Sequence, residues 1–434
     1  MGERERILDH LENDYTEPVR DPVWQHIYVS PGLLRIAEHA QFQKLDRIRQ
    51  LGPASLVYPG ATHTRRSHSL GVFHIARRMI TTLVRKGFAA GQSPVQGITR
   101  EGVSAFLCAA LLHDVGHYPF AHSLKDLAVE AHESLASRQI LSDFAPSIRE
   151  SLHVDPRAVA AIIDHRIDYG GPENVRFYWS ILSGVLDPDK LDYLNRDAYF
   201  CGVPYGVQDV DFILEEVSLD AAMGIAISRK GITALENLLF SKYLMYRTVY
   251  WHKTVRIATA MIKKAIALAL AEGAIRREEL YGLDDEEFYS RFTEERFAGF
   301  RLIADVRARA LHKLVFRVPF DETCAAHRRL EEVGERLALE ARIAGELSGL
   351  LGRSVSPESI VVDVPERISF EIGIPVLDPA GPGAPAGLEA SAIFGRMDGM
   401  DFPRALRAVS VCAARDEDIV SAVRRLDLPR YLSR

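Results

Sequence analysis

Residues 103–122 read VSAFLCAALLHDVGHYPFAH, and the fold is decided by the change of character at His113. The ten residues before it, Val103 to Leu112, are apolar apart from Ser104. A run of that length is too short to span a bilayer, and as a helix apolar on every side it has to be wrapped by other helices. His113 and Asp114 then arrive together at the helix end, and Gly116 breaks the turn. A charged pair at the end of a buried helix needs partners, because a buried polar group without one is strongly destabilising.

Working outward, apolar positions recur three or four apart over residues 32–50, 66–86, 101–113, 123–142, 155–166, 173–184 and 188–200. That is the helical period, so the first half reads as a helical bundle. GIAIS (224–228) and GITAL (231–235) flank Arg229 and Lys230 as a hairpin signal. The longest periodic stretch follows over about 233–272 and is stopped by Gly273. At about 1.5 Å per residue it would be roughly 60 Å long, which predicts a crossing of a domain or subunit boundary. Beyond residue 312 the strand-like runs LVFRV, SIVVDV and AVSVC alternate with helices near 323–350 and 416–426. The expected class is mainly α, a helical bundle over 1–310 with a smaller α+β C-terminal domain over 311–434, the latter serving assembly or regulation. The segment PVLDPAGPGAPAG (375–387) is expected to be an exposed loop.

The chain's 434 residues allow two or three domains at about 150 residues each. Hydrophobic residues at 47% and charged residues at 26% leave little room for disorder. Four cysteines without a CxxC pair argue against a disulfide framework or a thiolate zinc site and favour a reducing cytoplasm. No run of 18 apolar residues occurs, and the charged start MGERERILDHLEND does not resemble a signal peptide. A formal net charge of −6 argues against a surface built to grip nucleic acid.

Nine of the fifteen histidines fall between residues 63 and 165, which suggests a metal or acid/base site. His68 is in helical register with Val72, Ile75 and Met79, so its ring belongs to the inward face. In VLDPDKLDYLNRD, Asp187 reads as an N-cap, Pro188 as the first helical residue, and Asp189, Tyr193 and Asp197 as one face with Lys190 beside them. Tyr243, Tyr246 and Tyr250 read equally well as an ordinary packed stripe.

These blocks resemble the HD-domain phosphohydrolases, and within them the deoxynucleoside triphosphate triphosphohydrolases. The resemblance runs from about Asp21 to Arg256. It is carried by FQKLDRIRQLGPASLVYPGATHTRRSHSLGV, CAALLHDVGHYPFAHSL, the His132–Glu133 pair, DPDKLDYLNRDAYFCGV and, more weakly, YRTVYWHK. It implies that residues 1–310 are the phosphohydrolase domain and that His68, His113, Asp114 and Asp189 hold one divalent transition metal. A mixed N/O donor set suits Fe, Mn, Zn or Ni, and Mg can accompany the triphosphate. The resemblance also places His117, His122 and His132 near the scissile bond, with His122 favoured as the acid. Arg65 and Lys190 match positions that hold the triphosphate. Gln50 and Asp197 match contacts to the sugar 3′-hydroxyl, Leu51 and Tyr193 pack on its 2′ side, and Tyr250 lies near base or sugar. The expected partners are a dNTP substrate, a nucleotide activator and further copies of the chain in a dimer or tetramer, without membrane or nucleic acid.

Three departures stand out. Arg66 and Ser67 replace an acidic neighbour that relatives commonly carry before the first ligand. Lys125 stands where relatives commonly have an acid paired with the position of His117. Glu38, Gln43 and Asp46 occupy the activator-site positions, and Asp46 reverses a charge there. The alternatives kept open are an HD phosphohydrolase acting on another phosphate ester and a nucleotide sensor with weak chemistry.

Overall fold

The computed structural model describes residues 2–89, 98–172, 174–220, 224–368, 374, 376–377 and 406–432. A first helix, α1 (Glu3–Asn13), and a hairpin of β1 (Glu17–Asp21) and β2 (Gln25–Val29) lead into the bundle. Its main helices are α2 (Arg65–Ala89), α3 (Arg100–Leu112), α4 (His132–Leu141), α5 (Pro156–Ile163) and α6 (Pro188–Cys201). Thr99 caps α3 by accepting from the Gly102 N–H at 2.9 Å, and every residue from Ala105 to Leu112 is fully buried. The apolar run is thus the axis of the bundle, packed between α2 and α5 as its all-round hydrophobicity requires.

The helical half departs from the sequence expectations in several places, at three of which a polar side chain re-caps the backbone. The stretch 32–50 breaks at His39, whose ring accepts from the Gln41 N–H at 3.3 Å; after a 3₁₀ turn over Lys44–Arg47 the chain runs extended at Ile48, and Arg49 bridges Thr64. The stretch 123–142 is a 3₁₀ turn over Ala121–Leu127 followed by α4. The long helix over 233–272 is corrected into α7 (Ile232–Met245), a π-turn over Tyr246–Tyr250, and α8 (Lys253–Ala271), which His252 restarts by accepting from the Thr254 N–H. A π-turn adds a residue to the helical repeat and is frequent at functional sites. GIAIS is a strand, β4 (Gly224–Ser228), but its partner is the upstream β3 (Val217–Asp220) rather than GITAL. Ser228 caps the Lys230 and Gly231 N–H groups in a 3₁₀ turn, which sends GITAL into α7.

The C-terminal part forms a sheet in the order β5 (Lys313–Pro319), β8 (Ala408–Ala413), β6 (Ile360–Asp363), all antiparallel. Helices α9 (Val333–Leu351) and α10 (Glu417–Arg425) pack with this sheet in one apolar cluster. Of the expected loop 375–387, Val376–Leu377 form strand β7 parallel to β4, and the remainder lies outside the described residues. Among the described residues no helix is long and apolar enough to cross a membrane.

Helices α2 and α6 approach closely at Gly71. A methyl group there would run into the Asp192 carboxylate and the Arg196 guanidinium. Arg196 is fully buried, forks onto Asp192 at 2.8 and 2.9 Å, and reaches Asp21 of the hairpin at 2.8 Å. Gly71→Ala is expected to push this ion pair apart and to lower unfolding stability by about 3 kcal/mol, read from urea or thermal denaturation.

Candidate active site

His68 lies in the first turn of α2 and is buried. Its Nδ1 is 2.8 Å from Asp192 Oδ2, which leaves Nε2 aimed at Asp189 Oδ1, also at 2.8 Å. Asp189 stands in the first turn of α6, behind the Asp187 N-cap and Pro188. His113 ends α3, and its Nδ1 donates to the Ala110 carbonyl at 2.9 Å. That bond fixes the tautomer, so the lone pair of Nε2 faces inward, 3.4 Å from Asp114 Oδ1 and 3.9 Å from Asp189 Oδ1. Facing nitrogens of His68 and His113 and a carboxylate oxygen of Asp114 lie within 4.8 Å of one another. His113 Nε2 is buried and without a hydrogen-bond partner among the described residues.

This donor set fits a divalent transition metal. Two imidazole nitrogens with their other ring nitrogens anchored, and two carboxylates, form a mixed N/O site. Burial would lower the basicity of His68, but hydrogen bonds to Asp189 and Asp192 raise it to about 10. Burial would raise Asp114, but His117, Arg65 and His113 hold it well below the usual carboxylate range. Arg65 donates to Asp114 Oδ2 at 2.7 Å.

The turn after Asp114 builds a second cluster. Gly116 is required there, because a side chain would meet the His132 carbonyl and the Ala136 N–H at the start of α4. His117 Nε2 lies 3.1 Å from His122 Nε2, and the rings of His117 and His132 are 3.9 Å apart. Burial, reinforced by Arg65, pushes His117 down to about 4. Desolvation, followed by the neighbouring His117, also lowers His122 and His132, with Lys125 adding to both.

Both clusters open into one cavity of about 460 Å³, which Gln50, Leu51, Arg65, Tyr193, Asp197 and Tyr250 also line. Gln50 Oε1 is buried there without a hydrogen-bond partner among the described residues. Asp197 accepts from Tyr250 at 2.6 Å, and its other oxygen meets His63 Nε2 at 2.8 Å. The π-turn brings Tyr246, Tyr250 and Trp251 to the same wall, whereas Tyr243 is not part of it. Lys190 departs from its expected place. Its Nζ donates to Asp187 Oδ2 at 2.6 Å and to the Gly184 carbonyl at 2.7 Å, a local N-cap pairing in preference to the cavity. Asp46, from the activator-site positions, accepts from Thr64 at 3.0 Å and lies 3.7 Å from Arg66.

Sequence reasoning missed Asp192 and Trp24, whose indole donates to Asp192 at 2.5 Å. Asp192 is three residues beyond Asp189, a spacing that could have suggested it. It also missed Glu366, Arg367 and Ile368, which reach the cavity from beyond β6 and carry no motif. Asp192→Asn is expected to weaken metal binding by about 10- to 100-fold, and His113→Ala or Asp114→Ala to abolish loading, measured by metal analysis and calorimetric titration with Mn.

Residues 65–194 match the HD domain and residues 209–374 the HD associated region. An uncharacterized protein of Methanocaldococcus jannaschii is 34% identical over 272 residues, covering 62% of this chain and 53% of that one. The human deoxynucleoside triphosphate triphosphohydrolase SAMHD1 is 26% identical over 363 residues, covering 74% of this chain and 57% of the enzyme. The matched segments thus take in about half the length of these curated relatives. A hypothetical protein of Aquifex aeolicus superposes with a TM-score of 0.70 at 25% identity, over 94% of this chain and 99% of its own. A phosphohydrolase of Bacteroides thetaiotaomicron gives 0.69 at 26% identity, over 92% and 100%. The two matched regions follow one another along the chain and the His68, His113 and Asp114 cluster falls within the first, so this chain carries an HD domain followed by an HD-associated region.

Proposed function

We propose that the protein is a metal-dependent hydrolase that cleaves deoxynucleoside triphosphates to deoxynucleoside and inorganic triphosphate. The observation that carries this reading is the meeting, in one cavity, of the four-residue N/O cluster with a wall of Gln50, Leu51, Tyr193 and Asp197. The unpartnered Gln50 oxygen awaits a donor, and a sugar 3′-hydroxyl supplies one. Asp197 keeps acceptor capacity beyond its bonds to His63 and Tyr250. Leu51 offers nothing to a ribose 2′-hydroxyl, which would be left buried and unpaired, so deoxyribose is favoured. The likeness to SAMHD1 supports the same substrate class.

His68, His113, Asp114 and Asp189 would hold the ion, which, when bound, supplies a water of lowered pKa and polarises the phosphoryl group. Arg65, tied to Asp114, presents positive charge to the phosphates. We read His122, which lines the cavity with His117 behind it, as the donor of a proton to the departing 5′-oxygen. Tyr250 and Asp197 orient the sugar. Residues 311–434 are read as the assembly or regulatory part of a homo-oligomer in the cytoplasm.

Metal-analysed protein supplied with Mn or Fe and offered the four dNTPs, their ribo counterparts and mixtures is expected to release intact triphosphate from the deoxy substrates alone. Chelation should abolish the release. Release of pyrophosphate or orthophosphate, or cleavage confined to other phosphate esters, would overturn the reading. Gln50→Ala is expected to lower the preference for a dNTP over its 2′,3′-dideoxy counterpart by about tenfold while leaving metal content unchanged, seen as a change in the ratio of kcat/KM values.

A further inference from the structure

Lys125 has no role in the reading above, yet it lines the same cavity as His122 and His132. The other cationic side chains of the wall are held in place by protein partners. Arg65 is on Asp114 at 2.7 Å, Arg256 on Asp363 at 2.6 Å and Glu366 at 3.1 Å, and Arg367 on Glu331 at 2.9 Å. Arg49 donates to Ser55 at 2.8 Å. Lys190, expected at the triphosphate, stays with Asp187. Among the described residues, Lys125 lines the cavity without a carboxylate partner. The acid next to it, Asp126, faces away and binds Lys263 of α8 at 3.1 Å and Arg336 of α9 at 2.5 Å.

The placement is enforced from several sides. Leu124 and Leu127 bury the inner face of the 3₁₀ turn that carries Lys125. Phe120 and Ala128 bracket that turn with φ of 62° and 54°. Non-glycine residues hold this left-handed conformation only where their surroundings compel it. The Asp126 clasp on α8 and α9 supplies such a constraint, so the C-terminal part of the chain fixes where Lys125 stands. A nucleoside triphosphate carries about four negative charges, and a lysine ammonium without a competing carboxylate is suited to them as a point charge.

We propose that Lys125 is a substrate-binding residue that grips the polyphosphate chain, so that this cavity distinguishes a triphosphate from a single phosphate. The proposal rests on the triphosphohydrolase reading and deepens it. The charge reversal relative to the family pattern then adds a phosphate contact to the histidine cluster.

The test is calorimetric titration of the whole protein, metal already bound and no free metal present, with inorganic tripolyphosphate and separately with orthophosphate. Lys125→Ala is expected to weaken tripolyphosphate binding by about tenfold or more and Lys125→Glu further, while Lys125→Arg stays within about threefold of the parent. Orthophosphate affinity should change less than about threefold. Undiminished tripolyphosphate binding by Lys125→Ala, equal losses for both anions, or no tripolyphosphate binding by the parent protein would each overturn the assignment. Product analysis keeps the two readings apart. Turnover of dNTPs with unchanged binding in Lys125→Ala removes the role of Lys125 and leaves the hydrolase. Binding lost in Lys125→Ala in a parent protein that cleaves no dNTP retains the anion contact and removes the hydrolase.

Discussion

The rest of the structure depends on the burial of His68 together with the carboxylate that anchors it. Asp192 lies in the apolar interior between α2 and α6, where an unpaired charge would be intolerable. Arg196 forks onto it from one turn further along α6, Asp21 closes the far side of that guanidinium, and the Trp24 indole adds a donor. The hairpin β1–β2 is therefore part of the site's support, although none of its residues faces the cavity. Gly71 is the steric counterpart, the position where absence of a side chain lets the two helices close on the pair.

Helix α6 works on two faces. Asp189, Tyr193 and Asp197, four apart, present two carboxylates and the ring between them to the cavity. Asp192 and Arg196, also four apart, turn to the support network. One N-cap, Asp187, fixes the rotation of both faces at once, and by recruiting Lys190 it withdraws that cation from the cavity. The electrostatics divide accordingly. The cluster around His68 is rich in carboxylates and suited to a cation, whereas desolvation lowers the basicity of the histidines beyond Gly116, with Arg65 adding to it at His117 and His122 and Lys125 at His122 and His132.

The cavity is not closed by the bundle alone. Arg256 of α8, buried between Asp363 and Glu366, ties the chain leaving β6 across the opening, and Arg407 reinforces that segment through the Pro365 carbonyl and Glu331. Ions buried in this way are held because each guanidinium donates to several acceptors. Changes in the C-terminal sheet can therefore reach the site through a short, rigid path.

The sequence by itself determined the helical bundle and the shared face of Asp189, Tyr193 and Asp197, both written in local spacing: an all-apolar helix ending in two polar residues, and repeats of four behind an N-cap and proline. The grouping of His68, His113, Asp114 and Asp189 as a metal-type set came from the resemblance to a family and from no spacing in the chain. Only the tertiary structure decided the breaks at His39 and Tyr246–Trp251, the strand partner of GIAIS, and the pairing of Lys190 with Asp187. It alone joined Asp21, Trp24 and Asp192 across 168 residues or more of chain, and brought Glu366 to the cavity. Periodicity reports which face of an element is buried. It carries no information about which distant charge will meet another in the interior, since that depends on how closely two helices can approach.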